Sequence, residues 1–440
     1  MSEDAGTDEK LAGEPSVADY LRVLRRELTS LELGTAPPQR TLDSIGMATG
    51  LLDHLIVRLH RAGNRLSTAT RPIGALSWPH RLTQVRIARA ELDEWERQER
   101  SEAAGLPVVE TTSQAPTREQ VERYLRRCLS DPHLVVSSVA APLGGYSKDT
   151  IVVRFTGVRG ADGVVMRSDT PSGPLESLVA SEFPVLQLMH ASKVPVAAPL
   201  WVETDPALLG RPFIVTTLVR GQPAMNFRQE IAGGIGAEVA AAFALVLADI
   251  HKLDASQIVA APAPVGPALA AHVRRLLDQY QDQWQRRGGT THAIVDSAFA
   301  WMRENIPSPT ATPAIVHGDP TMRNLMVDDG QVTALLDWET WHVGDPMEDL
   351  AYCRDEIERF LPWRRFTELY TARCGRIVDE AALRYWSLWK FLRGAVTSVS
   401  MTHSLRHGLQ SDLRTAFGGV HYTRFCSQEL AKRLEAVAGT

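Results

Sequence analysis

Cysteine is scarce in this sequence of 440 residues, and its four cysteines lie far apart, at Cys128, Cys353, Cys374 and Cys426. No two of them have the two-residue spacing of a zinc or redox motif. Four distant thiols do not form the disulfide framework of a small secreted protein. The sequence therefore predicts a protein of a reducing, cytoplasmic compartment.

Long apolar segments and a strong net charge are also missing. The longest apolar run, residues 239–250, is interrupted by Asp249 and is too short to span a bilayer. The N-terminus begins with acidic residues, unlike a secretory signal. A net charge of −5 with dispersed basic residues gives no reason to expect nucleic acid as a partner. We expect a protein that binds neither membranes nor nucleic acid.

The chain is too long for a single hydrophobic core, so several folding units are expected. Changes in composition predict a disordered segment at 1–15, a helical domain at 16–104, a linker at 105–117, a sheet-containing lobe at 118–221 and a helical lobe at 222–440. In the helical domain, apolar residues recur at spacings of three and four. These N-terminal helices are the expected site of a homodimer contact.

Short β-branched runs separated by glycine-containing turns predict an antiparallel sheet in the fourth unit. The predicted strands lie at 135–136, 151–155, 164–167, 198–203 and 212–218, and the predicted helices at 119–129 and 175–190. From residue 231 onward the pattern is mainly helical, except around the loop at 317–337.

That loop contains the most informative residues of the chain. Asp319 follows a short apolar strand, Asn324 comes five residues later, and Asp337 follows 13 residues after the Asn. In kinase-type phosphoryl transfer, one Asp orients the attacking hydroxyl, while an Asn and a second Asp hold Mg²⁺ against the nucleotide phosphates. The spacing therefore predicts a small-molecule kinase that uses ATP and Mg²⁺ and has a hydroxyl as acceptor.

Other polar residues near this loop have two interpretations each. His317 is a second candidate catalytic residue, but it could instead be a buried ring that bonds the backbone and holds the loop. Glu339 could share the metal or face solvent. Asp345 is predicted to cap a helix, and Asp349 to bond back to the catalytic loop, both as structural supports.

A nucleotide site is predicted upstream. Gly144, Gly145 and Ser147 lie at a hairpin tip where backbone amides could approach phosphates. Arg167 ends a strand and Glu182 lies in the next helix, the order of the cation and carboxylate that steady the α- and β-phosphates in kinases. Each feature alone is ordinary, and their order ahead of the acidic loop favours the functional interpretation. Lys148 could touch phosphate or be solvated at the loop tip.

The whole set resembles the aminoglycoside phosphotransferase/choline kinase family over about residues 133–405. The residues that carry the resemblance are His317-Gly318-Asp319, Asn324, Asp337-Trp338-Glu339 and Gly344-Asp345-Pro346 with Asp349. The resemblance implies an α+β, two-lobed protein-kinase-like fold, with a small antiparallel-sheet N-lobe and a large helical C-lobe, here preceded by an all-α N-terminal domain.

The same resemblance implies functional roles. Asp319 would be the base, Asn324 and Asp337 the Mg²⁺ ligands, and Arg167 would stand where most kinases carry Lys. The hinge would lie near residues 217–221, with Thr217 and Val219 at the nucleotide. The pattern is most similar to a branch that includes kinase domains fused to acyl-CoA dehydrogenases and resembles hydroxyacyl-CoA kinases.

The acceptor is left open by these motifs. The stretch from Arg354 to Arg414 is rich in arginine, which favours an anionic or neutral acceptor such as a hydroxyacyl-CoA, although a solvated helical face has the same composition. An aminoglycoside or other antibiotic kinase is the alternative. An alternative of another class is a nucleotide-binding pseudoenzyme or scaffold. Trp386 and Trp389 are either pocket wall or core.

Overall fold

The computed structural model describes Met47, Ala48, Leu51 and nine longer segments. These segments are residues 116–140, 148–158, 160–169, 177–225, 236–258, 267–287, 292–307, 312–407 and 413–438. Met47, Ala48 and Leu51 are helical and buried. The rest of the predicted helical domain at 16–104, the segment 1–15 and the expected homodimer contact lie outside the described residues.

The first described unit is a five-stranded antiparallel sheet flanked by two helices. Its strands follow the order β1-β2-β3-β5-β4. Every neighbouring pair is antiparallel, as predicted. The elements are α1 (Arg118–Cys128), β1 (Val135–Ala140), β2 (Lys148–Gly157), β3 (Gly160–Asp169), α2 (Glu182–Ala191), β4 (Pro199–Glu203) and β5 (Phe213–Thr217).

Alternation of side chains explains why this sheet has one buried face. In β2, Ile151, Val153 and Phe155 are buried while most residues between them are more exposed. They pack in one core with Val121 and Leu125 of α1. Residues two apart on a strand point to the same face, so the β-branched run supplies a continuous apolar surface for the helix.

The helix predicted at 175–190 is shorter in the structure. A 3-10 turn covers Val179–Ser181, and α2 begins at Glu182. Pro184 explains the difference, because proline has no N–H and fits only the first turn of an α-helix. The predicted start was therefore wrong by about two turns, and Glu182 lies at the beginning of the helix.

The second unit is mainly helical, with short strands confined to the neighbourhood of the predicted loop. β6 pairs with β8, β8 with β9, and β10 with β7. Its elements are β6 (Gln222–Pro223), α3 (Gly236–Lys252), α4 (Pro267–Arg286), α5 (Ala293–Glu304), β7 (Ala314–Val316), β8 (Leu325–Asp328), β9 (Gln331–Leu335), β10 (His342–Gly344), α6 (Met347–Ile357), α7 (Trp363–Cys374), α8 (Glu380–Arg406) and α9 (Leu413–Ala438).

The core of this unit contains the two tryptophans whose place the sequence left open. Trp386 and Trp389 are 3% and 2% exposed and belong to the large apolar core. Their indole N–H groups donate to Asp345 at 3.0 Å and Glu348 at 2.9 Å. The core interpretation is confirmed. In the described part of the chain, no helix is both long and apolar enough to cross a membrane.

Several arginines after the loop form ion pairs on helix surfaces. Arg354 bonds Glu358 at 3.0 Å and Glu380 at 3.1 Å, and Arg373 bonds Asp249 at 2.7 Å. These contacts fit the solvated-face interpretation. The number of arginines in this stretch is therefore no argument for an anionic acceptor.

Lys148 is not a solvated loop tip, so that interpretation was wrong. Its side chain is 2% exposed, and Nζ donates to Asp169 Oδ1 at 2.7 Å and to the Ser177 hydroxyl at 3.1 Å. Asp169 Oδ1 also accepts the Val179 N–H at 2.8 Å. Lys148 thus fastens the start of β2 to the chain that leads into α2.

Replacing Lys148 by Met tests this role. Lys148→Met keeps the apolar stem but leaves the partly buried Asp169 without its cation, so the free energy of unfolding should fall by about 1–3 kcal/mol. Urea denaturation measures this change. Lys252→Met, at an exposed position, is the control and should stay within about 0.5 kcal/mol of the wild type. Equal midpoints for all three proteins would show that the buried pair contributes nothing.

Candidate active site

The loop after β7 carries Asp319 and is shaped by the glycine before it. Gly318 has φ +82, and a Cβ there would lie 2.6 Å from the carbonyl oxygen of Thr340. Only glycine combines a positive φ with so close an approach. The chain therefore turns sharply at Gly318 and delivers Asp319 beyond the end of the buried strand.

Asn324 is held directly against Asp319. Its Nδ2 donates to the Asp319 carbonyl oxygen at 2.9 Å and to Oδ2 of the carboxylate at 3.2 Å. The Leu336 N–H donates to the Asn324 carbonyl oxygen at 2.8 Å. Because Leu336 directly precedes Asp337, the structure brings together the three residues that the sequence assigns to phosphoryl transfer.

Asp337 has a strained backbone at the point where it enters this cluster. Its φ of 68 and ψ of 62 are left-handed, a conformation that costs a non-glycine residue about 1–2 kcal/mol. Such strain persists where the surrounding structure over-determines it and is concentrated at functional sites. The geometry turns the carboxylate of Asp337 away from the direction that β9 would give it.

Arg167 joins the small sheet to this cluster. Its Nη1 donates to Glu182 Oε2 at 2.7 Å, and its Nη2 donates to Asp337 Oδ1 at 2.6 Å. Burial raises the pKa of Glu182 to about 7, although the charge of Arg167 opposes this shift. The cation–carboxylate contact predicted from the sequence is present, with Asp337 as an additional partner.

The predicted nucleotide residues are placed only in part. Gly144, Gly145 and Ser147 lie outside the described residues. Thr217 ends β5, where its N–H donates to the Ala198 carbonyl oxygen at 2.9 Å and its Oγ1 accepts the Ala198 N–H at 3.0 Å. Val219 is half-buried in the segment that follows. Their contacts with a nucleotide stay predictions.

His317 has both ring nitrogens on backbone groups. Nε2 donates to the Leu336 carbonyl oxygen at 2.9 Å, and Nδ1 accepts the Asp319 N–H at 3.2 Å. Burial lowers the pKa of His317, against the effect of nearby carboxylates. A neutral, fully buried ring with this bonding favours the interpretation that it holds the loop.

Asp349, at the start of α6, supports the loop as the sequence predicted. Its oxygens accept the N–H groups of His317 and Gly318, both at 2.8 Å. His251 of α3 donates Nε2 to Asp349 at 3.1 Å, and its Nδ1 accepts the Tyr370 hydroxyl at 2.9 Å. Burial alone would raise the pKa of Asp349, but these hydrogen bonds outweigh it and lower the pKa.

Tyr352 and Arg393 were not predicted as site residues, yet both contact the loop. Arg393 donates to the Gly318 carbonyl oxygen and lies 4.8 Å from the Tyr352 ring centre. Burial raises the pKa of Asp319, while the charge of Arg393 and a hydrogen bond from Tyr352 oppose the shift. The available signal was an arginine directly after the stretch 386–392, in which five of seven residues are large and apolar.

Comparison with known proteins identifies the family. The model of the phosphotransferase enzyme family matches residues 138–394. The chain belongs to this phosphotransferase family. Mouse acyl-CoA dehydrogenase family member 11 is 27% identical over 256 residues, which are 56% of this chain and 31% of the relative. A probable acyl-CoA dehydrogenase, IBR3, from Arabidopsis thaliana is 28% identical over 218 residues, which are 47% of this chain and 26% of the relative. The chain thus spans less than a third of these relatives.

Solved structures show the fold. A putative aminoglycoside phosphotransferase from Ralstonia eutropha superposes with a TM-score of 0.56 at 20% identity, covering 73% of this chain and 99% of that one. A thermostable mutant of aminoglycoside phosphotransferase APH(4)-Ia gives 0.50 at 17% identity, covering 72% and 100%. The predicted α+β, kinase-like fold is confirmed.

The support from Asp349 is testable with an isosteric change. Asp349→Asn keeps one acceptor oxygen but loses the charge, so one of the two loop N–H groups is left unpaired at a cost of about 1–3 kcal/mol. The melting temperature should fall. Because the folded pKa of Asp349 is lowered, its contribution is present above the ordinary Asp value of about 4. It is lost only as pH falls through that lowered pKa.

The pH dependence of the melting temperature provides the result that would contradict this role of Asp349. The difference in melting temperature between wild type and Asp349→Asn should therefore persist from neutral pH to about pH 5. A difference that vanished already between pH 7 and pH 5 would contradict a charged Asp349 in the folded protein.

Proposed function

We propose that this phosphotransferase is an ATP-dependent kinase that transfers the γ-phosphoryl group to a hydroxyl of a small molecule. The observation that carries the proposal is the contact of Asn324 with Asp319, at the position to which the β8–β9 hairpin returns Asp337. This is the set of groups that phosphoryl transfer from a Mg²⁺-bound nucleotide requires. A pseudoenzyme would need only the nucleotide contacts, and the complete set favours the kinase.

Asp319 has the environment of a base. It is partly buried, burial raises its pKa, and Tyr352 and Arg393 lie close to it. A carboxylate of raised pKa accepts a proton more readily than an exposed one. In the proposed reaction Asp319 orients the acceptor hydroxyl and takes its proton as the oxygen bonds to the γ-phosphorus and the bond to ADP breaks.

The side chains present fit Mg²⁺. Asn324 uses its Nδ2 for the two bonds to Asp319, which leaves its amide oxygen for a metal, and Asp337 adds a carboxylate. Among the described residues no cluster of three or more His, Cys, Asp or Glu could hold a metal. Mg²⁺ sites of kinases use one or two protein oxygens and complete the shell with phosphates and water. Bound there, Mg²⁺ would neutralise the phosphate charge.

The nucleotide would lie between the sheet and the loop. Arg167 holds Glu182 with one nitrogen and Asp337 with the other, so it is placed to meet the α- and β-phosphates. Gly144, Gly145 and Ser147 would close over the phosphates, and Thr217 and Val219 would flank the base. Cytoplasmic ATP is the expected donor, in agreement with four cysteines that are all free.

For the acceptor, we propose a hydroxyacyl-CoA or a related metabolite. The support is that the curated relatives carry acyl-CoA dehydrogenase names over the matched region. An aminoglycoside is the second candidate, because the structural relatives are described as aminoglycoside phosphotransferases.

The base assignment is tested by Asp319→Asn. The variant keeps the shape of the side chain but cannot take the proton, so kcat for the acceptor should fall by a factor on the order of 10² to 10⁴. ATP affinity should change little. ADP release in a coupled assay gives kcat, and calorimetry gives the affinity. Asp282→Asn, on the exposed face of α4, is the matched control. A variant with wild-type kcat would remove Asp319 from this role.

The metal assignment is tested by Asp337→Ala. Loss of a carboxylate ligand to a hard cation should abolish the Mg²⁺-dependent part of ATP binding. Titration calorimetry with ATP, with and without Mg²⁺, separates that part from the rest. Equal Mg²⁺ dependence in variant and wild type would show that the metal is held elsewhere.

A further inference from the structure

Arg323 lies in the loop that carries Asp319 and Asn324, and the proposed reaction assigns it no role. It lies in the 3-10 turn Met322–Asn324, between the base and the metal ligand. Asn324 turns back to Asp319, whereas Arg323 reaches α6, where its Nη2 is 3.4 Å from Glu356 Oε1.

The groups that interact with Arg323 place it close to Asp319 and to the helices α6 and α9. Burial lowers its pKa, but Glu356, Tyr422, Asp319 and Tyr352 together outweigh burial and raise it. Tyr352 belongs to α6 and Tyr422 to α9, so the guanidinium lies close to the proposed base and to these two helices. A hydroxyl that approached Asp319 along these two helices would pass close to Arg323.

Arg323 keeps bonding capacity that neighbouring cations have used. Its side chain is 38% exposed, and its ion pair with Glu356 is long and single. The other oxygen of Glu356 accepts the Met322 N–H at 2.9 Å. Arg393, by contrast, is 6% exposed and donates to the loop carbonyl at Gly318. A guanidinium has five N–H donors, so Arg323 can take a further anion.

Two described carboxylates at the end of α6, Asp355 and Glu356, are engaged by protein cations. Glu356 has Arg323, and Asp355 binds Lys390 at 3.1 Å and Arg433 at 3.0 Å. A polycationic acceptor needs unpaired carboxylates close to the base, and it would meet the positive charge of Arg323 first. The planar fork of arginine matches a carboxylate or phosphate with two parallel hydrogen bonds.

We infer that Arg323 binds an anionic group of the acceptor and so selects anionic hydroxy compounds over aminoglycosides. This inference rests on the proposed function and names its substrate class. The anion is a carboxylate of a free hydroxy acid or a phosphate of a CoA ester. In both cases Arg323 holds the anion while the hydroxyl lies at Asp319.

The test compares four acceptors with the full chain. They are 3-hydroxybutyryl-CoA, free 3-hydroxybutyrate, the uncharged N-acetylcysteamine thioester of 3-hydroxybutyrate, and kanamycin. ADP release gives kcat and KM for each. The variants are Arg323→Gln, Arg323→Lys and the control Arg364→Gln, whose side chain is 90% exposed on α7. Melting temperatures check that each variant is folded.

Arg323→Gln should raise KM for the anionic acceptor on the order of 10- to 100-fold, the range for a lost hydrogen bond to a charged group. Its kcat should change little, and KM for the uncharged thioester should not change. Arg323→Lys should recover part of the loss, and Arg364→Gln should match the wild type. Sensitivity with the CoA ester alone identifies a phosphate, and sensitivity with free 3-hydroxybutyrate identifies the carboxylate.

Two results would overturn the inference while leaving the kinase intact. One is an unchanged KM for every anionic acceptor in Arg323→Gln. The other is a higher kcat/KM for kanamycin than for any anion in the wild type. If the wild type binds Mg-ATP and none of the four acceptors raises ADP release above the rate with water, the proposed function fails, and the inference fails with it.

Discussion

The active-site loop depends on one buried carboxylate. Asp349 accepts the N–H groups of His317 and Gly318, two consecutive residues directly before Asp319. These donors belong to a sharp turn with no strand partner, and a buried N–H without an acceptor is costly. With Asp349 in place, the turn at Gly318 is fixed, and Asp319 can reach only the position at which Asn324 meets it.

Helices distant in sequence complete this arrangement. His251 of α3 fixes the orientation of Asp349, and Tyr370 of α7 bonds His251 in turn. From the other side, Arg393 of α8 donates to the Gly318 carbonyl oxygen. The donors and the acceptor of one turn are thus satisfied from separate parts of the helical unit. The polar groups of the loop are bonded to side chains on helices of the apolar core, and these bonds hold the loop in place.

The sequence was sufficient for the fold class, most strands of the sheet and the residues with conspicuous spacing. Asp319, Asn324 and Asp337 are recognisable because short loops and one hairpin separate them, so local geometry brings them together. The second partner of Arg167 was not foreseeable, since Asp337 lies 170 residues away and the bond depends on how the sheet faces the hairpin.

Longer-range contacts also explain what was interpreted wrongly. Lys148 resembles a solvated loop residue until Asp169 and Ser177 surround it, 21 and 29 residues further on. Arg393 was one arginine among many, and its burial on α8 separates it clearly from the exposed Arg364. A charged residue can lie on the surface or in the core. Its role depends on the groups with which it pairs, and the sequence alone does not show that pairing.

The two hydrogen bonds of Arg167 have different surroundings, so one can break while the other holds the side chain in place. Glu182 holds one terminal nitrogen in a buried contact, while the other nitrogen shares Asp337 Oδ1, an atom that the metal would also seek. A metal ion bound at Asp337, as proposed, would displace the guanidinium from that partner only, and the Arg167 side chain would stay bonded to Glu182. A lysine has a single terminal nitrogen, so it cannot keep one partner on one nitrogen while it exchanges the partner of another. If Arg167 stands where most kinases carry lysine, as the resemblance implies, the arginine would preserve more than a positive charge. It would let the proposed nucleotide site bind and release a metal ion while the guanidinium kept its position.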